Sequence, residues 1–349
     1  MKKVVIDRYI PFEGDPFAGI AELVKLDPSE ITRDVVRDAD ALIVRTRTKC
    51  SPALLDGSRV SMVATATIGT DHFDFPWLAS KGIKTVSSPG CNAPAVAQYV
   101  MASIFHLGLG HPGLRLGIVG LGHVGSIIAS WARGFGMDVL ACDPPRAKRD
   151  GGWNAEQPFE QGDERFLSLE EVGRKADVVT FHTPLTRDGK YPSFHLLDRD
   201  FLHVAPKALV INSARGAVAD TRALIDAKKS GKIDKLAMDC WEAEPNISLD
   251  LLKLAEISTP HIAGYSIEGK KRATAVTFNA VLEHFGADRR VEAGVAMTPP
   301  ASVDAEALMR SYDPIADSLL LKSNPAVFEH LRNTYALRHE TPFSTEAVN

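Results

Sequence analysis

Three side chains in the sequence are suited to moving a proton beside a bound carboxylate: Arg215, Glu244 and His261. His261 stands in Thr259-Pro260-His261-Ile262-Ala263-Gly264, before a glycine that lets backbone approach closely. An imidazole titrates near neutrality, so it can take the proton of a hydroxyl whose carbon gives up a hydride. Read alone, a single histidine is more often structural than catalytic. Glu244, in Glu242-Ala243-Glu244-Pro245, would raise the imidazole pKa and orient the ring, although by itself it is an ordinary loop acid. Arg215 follows the apolar run Ala208–Asn212, and its guanidinium fork suits a carboxylate bidentately; the plain alternative is a surface salt bridge. An arginine, an acid and a histidine at successive strand ends favour chemistry over three unrelated structural roles.

A second group of residues points to a cofactor. From Arg115 to Asp143 the chain reads as strand, glycine-rich turn, helix, strand and acid. Gly120, Gly122 and Gly125 form G-x-G-x-x-G directly after the apolar run Leu116–Val119, with His123 and Val124 opening the helix. Such a turn brings backbone close to a pyrophosphate, and the helix N-terminus offers unpaired N–H groups to it. Asp143 can accept the hydrogen bonds of a ribose diol, which favours NAD over NADP; Arg146 and Arg149 just beyond keep NADP open. A glycine turn with no ligand is the plain reading, and the register of strand, helix, second strand and acid argues against it.

These residues need a parallel sheet to place them. Residues 1–95 alternate apolar runs with helical patterns: strands at Lys3–Ile6, Ala41–Arg45, Val60–Ala66 and Lys84–Val86, helices at Ala18–Leu26, Ile31–Arg37 and Phe75–Lys81. The long helical pattern Ala93–Leu109 leads into the glycine turn. Beyond it the alternation resumes, with a capping box at Ser168 and Glu171 and strands at Asp177–Phe181, Ala208–Asn212 and Lys235–Asp239. Another helix is expected over Ser266–Phe285, then a linker, then amphipathic helical runs at Asp304–Lys322 and Ala326–His339; the tail Thr341–Asn349 lacks apolar periodicity. The expected architecture is α/β: two Rossmann-like parallel-sheet domains with a small helix-containing C-terminal module. The expected boundaries are 1–95 plus 266–286 for a discontinuous, flavodoxin-like substrate domain, 96–265 for the dinucleotide domain, and 287–349 for a C-terminal dimerisation module.

Composition excludes some classes. Forty basic against 44 acidic residues give a net charge of −4, which offers no support for nucleic-acid or membrane-surface binding. No apolar run approaches the roughly 20 residues of a membrane span, and Val4–Ile6 is too short for a secretory signal. Cys50, Cys91, Cys142 and Cys240 are scattered without metal spacing, so reduced thiols, no metal and a cytoplasmic location are expected.

The stretches GIVGLGHVG, FHTPLT, INSARGAVAD, AMDCWEAEP and TPHIAGYS, in this order, resemble the D-isomer-specific 2-hydroxyacid dehydrogenase family. The resemblance covers nearly the whole chain, weakest over the last 60 residues or so. It implies an NAD-dependent oxidoreductase, a homodimer acting on a small phosphorylated 2-hydroxy acid. By position it implies that Arg215 binds the substrate carboxylate, Glu244 supports the histidine and His261 exchanges the hydroxyl proton. Asp143 would hold the ribose and Asp239 the nicotinamide carboxamide, while Thr183 and Gly264 line the cofactor. Thr46, Thr67 and Tyr265 match substrate-contacting positions. The family often has serine where this chain has Thr46, which keeps the hydroxyl. Arg45 is the better candidate for a phosphate clamp than Arg47. Two other readings stand beside this one: a family member acting on a different 2-hydroxy acid, such as phosphoglycerate or hydroxypyruvate, and a non-catalytic NAD-sensing interaction protein.

Overall fold

The computed structural model describes residues 1–149, 165–205 and 208–340. The Arg149 side chain and the tail 341–349 lie outside the described residues. The chain divides into two compact units, one of residues 1–92 with 266–298, the other of 93–265 with the chain from 299 onward.

The first unit is built on five parallel strands: β1 (Lys2–Asp7), β2 (Ala21–Leu26), β3 (Ala41–Val44), β4 (Met62–Thr65) and β5 (Lys84–Val86). Their order is β2-β1-β3-β4-β5. Strands β3 and β4 are buried at every position, as a parallel sheet covered on both faces requires. Val4, Ile6 and Ile43 face one apolar cluster, Val5, Leu42 and Val44 the other. The helix Ile267–His284 brings Phe278, Val281 and Leu282 to the first of these. Its start is capped by Ser266 Oγ, which accepts from the Gly269 N–H at 2.9 Å.

Of the segment Ala18–Leu26, expected to be helical, Ala21–Leu26 is instead the edge strand β2, in register from Lys2↔Ala21 to Asp7↔Leu26, and the residues before it form a turn. Ala21, Leu23, Val24 and Leu26 satisfy a helical spacing as well as a strand, and pairing with β1 overrides the local preference.

The second unit holds seven parallel strands: β6 (Arg115–Val119), β7 (Asp138–Cys142), β8 (Arg165–Phe166), β9 (Val178–Phe181), β10 (Leu209–Asn212), β11 (Lys235–Met238) and β12 (Ile257–Ser258). The order β12-β11-β10-β9-β6-β7-β8 is doubly wound, reversing direction between β6 and β9. Ligands of such sheets bind outside the carboxyl ends of the strands at that reversal. The glycine turn follows β6 and the His182–Leu185 stretch follows β9, so both lie there.

The run Asp304–Lys322 is two helices rather than one, Ala305–Ser311 and Pro314–Ser323. Pro314 cannot continue a helix, and Asp313 Oδ1 starts a new one by accepting from the Ile315 N–H at 2.9 Å. Leu308 and Tyr312 join the cluster of Trp131 and Ile128, while Leu321 joins that of Val210 and Leu252. The run Ala326–His339 is helical only at its start, a 3-10 turn over Pro325–Val327 leading into the α-helix Phe328–Asn333.

Candidate active site

The glycine turn is dictated by close packing. Gly120 has φ +93°, and a Cβ there would stand 2.9 Å from the His182 backbone. A Cβ on Gly125 would stand 2.2 Å from the Gly120 carbonyl oxygen. Gly122 differs: a Cβ there meets nothing within 4 Å, so its bare backbone faces open space where a phosphate can approach. His123 and Val124 form the first turn of the helix His123–Gly134 behind it.

Asp143 ends β7 and ties the turn together. One carboxylate oxygen accepts from the Leu121 N–H at 2.8 Å, the other from the Arg146 N–H at 2.9 Å. The Arg146 guanidinium folds back onto the turn, donating to Leu121 O at 2.8 Å and Ser126 Oγ at 3.0 Å. Around the neighbouring strand ends, Thr183 Oγ1, Ser213 Oγ and His182 Nδ1 are buried polar atoms that make no hydrogen bond. Buried groups in this condition suit a polar ligand that completes them. Together with the open side of Gly122 they fit a dinucleotide laid across the strand ends.

His261 follows β12 in a strained backbone, at φ +59°. Asp239, at the end of β11 and 1% exposed, holds that conformation. Its Oδ1 accepts from Thr259 Oγ1 at 2.7 Å and from the N–H groups of Ile262 and Ala263 at 2.8 and 3.1 Å. Its backbone carbonyl accepts from the His261 N–H at 2.9 Å. Burial raises the Asp239 carboxyl pKa, and these donors oppose that rise. Gly264 and Tyr265 complete the loop, with the Tyr265 N–H on Ile262 O at 2.9 Å.

Glu244 pairs with His261. The Trp241 N–H donates to Glu244 Oε1 at 2.7 Å, and His261 Nδ1 meets Glu244 Oε2 at 2.8 Å. Burial disfavours the Glu244 charge, but His261 and the Trp241 N–H outweigh it and hold its pKa below the usual carboxylate range. An ionised Glu244 is an acceptor, so Nδ1 carries the proton and Nε2 is left with the lone pair of a neutral ring. For His261, burial again opposes charge, yet its pKa is held well above the ordinary histidine value. The neighbouring Cys240, whose own thiol is pushed up by burial, and the Glu244 carboxylate both act to raise it.

Arg215 lies in the loop after β10. Asn212, fully buried, shapes that loop: its Oδ1 accepts from the Ala214 N–H at 3.1 Å and its Nδ2 donates to Arg215 O at 3.0 Å. The same Nδ2 reaches Cys240 O at 3.3 Å, so the Arg215 loop and the Asp239–Glu244 segment are stitched together.

The remaining expected substrate residues, apart from Tyr265, belong to the first unit. Arg45 follows β3; its Nε donates to the fully buried Asp7 at 2.8 Å, and its guanidinium lies 5.0 Å from the centre of the Tyr9 ring. Thr46 and Arg47 are exposed beside it. Thr67 Oγ1 sits 2.7 Å from Thr65 Oγ1 and 3.0 Å from Gly69 O.

Three residues of the second unit, Cys240, Arg332 and Arg338, escape sequence reasoning. Cys240, Glu244 and His261 place their reactive atoms within 4.8 Å of one another. Arg332 Nε donates to Tyr265 Oη at 3.3 Å, and its Nη1 lies 3.8 Å from Glu244 Oε2. Arg338, 9% exposed, donates to backbone carbonyls of the His261 loop. Arg332 and Arg338 lie in the run Ala326–His339, whose amphipathic pattern gives no sign of a role in the site.

Residues 97–263 match the family model described as D-isomer specific 2-hydroxyacid dehydrogenase, NAD binding domain. The chain belongs to that family, as an NAD-dependent dehydrogenase. In particular, it is 41% identical over 352 residues to the erythronate-4-phosphate dehydrogenase of Bacteroides fragilis, covering 97% of each chain. It is 38% identical to the erythronate-4-phosphate dehydrogenase of Yersinia pestis, over 97% of this chain and 92% of that one. Among solved structures, the TT0316 protein of Thermus thermophilus matches with a TM-score of 0.65 and 26% identity, over 83% of this chain and 100% of that one. The D-lactate dehydrogenase of Aquifex aeolicus shares the fold, with a TM-score of 0.64 and 24% identity over 81% of this chain and 96% of that one.

Proposed function

We propose that this enzyme oxidises 4-phospho-D-erythronate at its 2-hydroxyl to (R)-3-hydroxy-2-oxo-4-phosphobutanoate, in the synthesis of pyridoxal 5'-phosphate. The proposal rests on the 2.8 Å His261–Glu244 pair in a chain 41% identical along 97% of its length to an erythronate-4-phosphate dehydrogenase. NAD, when bound, accepts the hydride from C2. Gly120, Gly122, His123, Val124 and Gly125 take its pyrophosphate and Asp143 its ribose, while Thr183, Asp239 and Gly264 line the nicotinamide end. Arg215 anchors the substrate carboxylate. Neutral His261 takes the hydroxyl proton on Nε2, and Glu244 stabilises the imidazolium that results. Thr46, Thr67 and Tyr265 contact the substrate, and Arg45, its guanidinium steered by Asp7, takes the phosphate. The active form is a cytoplasmic homodimer.

His261→Ala is expected to lower turnover by roughly 10²–10⁴-fold while NAD still binds. Near-normal turnover in that variant would refute the assignment. Substrate choice is settled by following NADH over 2-hydroxy acids with and without a terminal phosphate. A higher kcat/KM on 3-phosphoglycerate than on 4-phosphoerythronate would overturn it.

A further inference from the structure

The helix Phe328–Asn333 places a partly buried cation against the His261–Glu244 pair. The Arg332 side chain is 23% exposed, and it stays protonated although burial opposes its charge. Its Nη1 lies 3.8 Å from Glu244 Oε2, the same oxygen that meets His261 Nδ1. Its Nε donates to Tyr265 Oη at 3.3 Å. Glu329 Oε1 is 3.6 Å from that Nη1 and offsets part of the charge. Arg338, further along, fixes the other side of the arrangement. Its guanidinium donates to Ile262 O at 2.9 Å, Tyr265 O at 3.1 Å, Ala95 O at 3.0 Å, Gln98 Oε1 at 3.0 Å, and Ala263 O. The loop that bears His261 is thereby held from both sides by one segment.

We propose that Arg332 is a positioning residue for the dehydrogenase reaction: it shares Glu244 with His261, sets how tightly the imidazole holds its proton, and orients the Tyr265 ring. A cation sharing the carboxylate weakens the carboxylate's hold on the imidazolium. Removing it therefore strengthens that hold, and His261 gives up its proton only at higher pH. The other ionisable groups facing His261 are Glu244, Cys240 and Asp239. The Arg338 guanidinium lies on the adjoining carbonyls.

This inference rests on His261 being the proton acceptor. The test is the pH dependence of kcat/KM for 4-phosphoerythronate oxidation at saturating NAD, using full-length Arg332→Gln and Arg332→Lys. For Arg332→Gln the midpoint of the rise with pH should move upward by roughly half a unit or more, and KM should rise several-fold as Tyr265 loses the Arg332 hydrogen bond. Arg332→Lys keeps the charge and should restore the midpoint but not the KM. A purely structural role would lower kcat and leave the midpoint in place, which would overturn the proposal. Should Arg332→Gln not fold, Glu329→Gln at its more exposed position decides the matter. Relieved of its counter-ion, Arg332 should move the midpoint downward, and no movement overturns the proposal. Normal turnover in His261→Ala would instead remove the reading beneath it.

Discussion

Glu244 Oε2 accepts the Nδ1 proton of His261, and the sign of their coupling sets a pH dependence. The carboxylate raises the His261 pKa above the ordinary histidine value of about 6.5. Oxidation requires the neutral ring, so kcat/KM should rise with pH through a midpoint above that value. A flat profile across this range would argue against histidine as base. Glu244→Gln keeps an acceptor for the Trp241 N–H but removes the charge, so the same midpoint should fall to lower pH, with turnover reduced by roughly 10–100-fold. An unmoved midpoint would show that Glu244 does not tune the ring. The partnership was readable from the set and not from either residue: alone, His261 and Glu244 each have a plain structural reading, and their placement with Arg215 at successive strand ends favours chemistry. Cys240 was not readable: nothing in its position beside Asp239 announces a neighbour 21 residues away, and only the turn of the chain after β12 brings them together.

At the scale of elements, the glycine turn separates two functions that G-x-G-x-x-G combines. Gly125→Ala forces a Cβ against the Gly120 carbonyl and is expected to destabilise the fold by roughly 1–3 kcal/mol, with NAD affinity lost as well. Gly122→Ala meets no protein atom, so its melting temperature should stay within a few degrees of the parent while NAD affinity falls. Thermal melts with and without NAD distinguish the two. An unchanged NAD-induced shift in Gly122→Ala would remove this residue from the cofactor site. The doubly wound sheet was legible from the rhythm of apolar runs, and the capping box at Ser168 is formed as expected. The exception was β2, whose apolar residues satisfy both periods until β1 is there to pair with. Pro314 shows the opposite lesson. A single residue with a fixed φ splits a run whose apolar pattern is continuous.

For the whole molecule, the helix Pro314–Ser323 presents Leu319 and Leu320 to the surface, 63% and 56% exposed. Adjacent exposed leucines support the proposed homodimer, since their burial contributes on the order of 1.5–3 kcal/mol each. Full-length protein carrying Leu319→Glu and Leu320→Lys should show half the parental molar mass by light scattering and a melting temperature that depends less on concentration. A parental chain that is monomeric at assay concentration would refute the dimer, and an unchanged dimer would place its interface elsewhere.

The Arg338 contacts carry a consequence in time. Arg338 follows its carbonyl partners Ile262, Ala263 and Tyr265 by 76, 75 and 73 residues. At translation rates of about 5–20 residues per second, that separation amounts to several seconds of synthesis. During that interval the glycine turn and the strands of the dinucleotide unit have already been synthesised, while the loop bearing the base still lacks its fastening. The base is therefore the last part of the unit to be fixed in place.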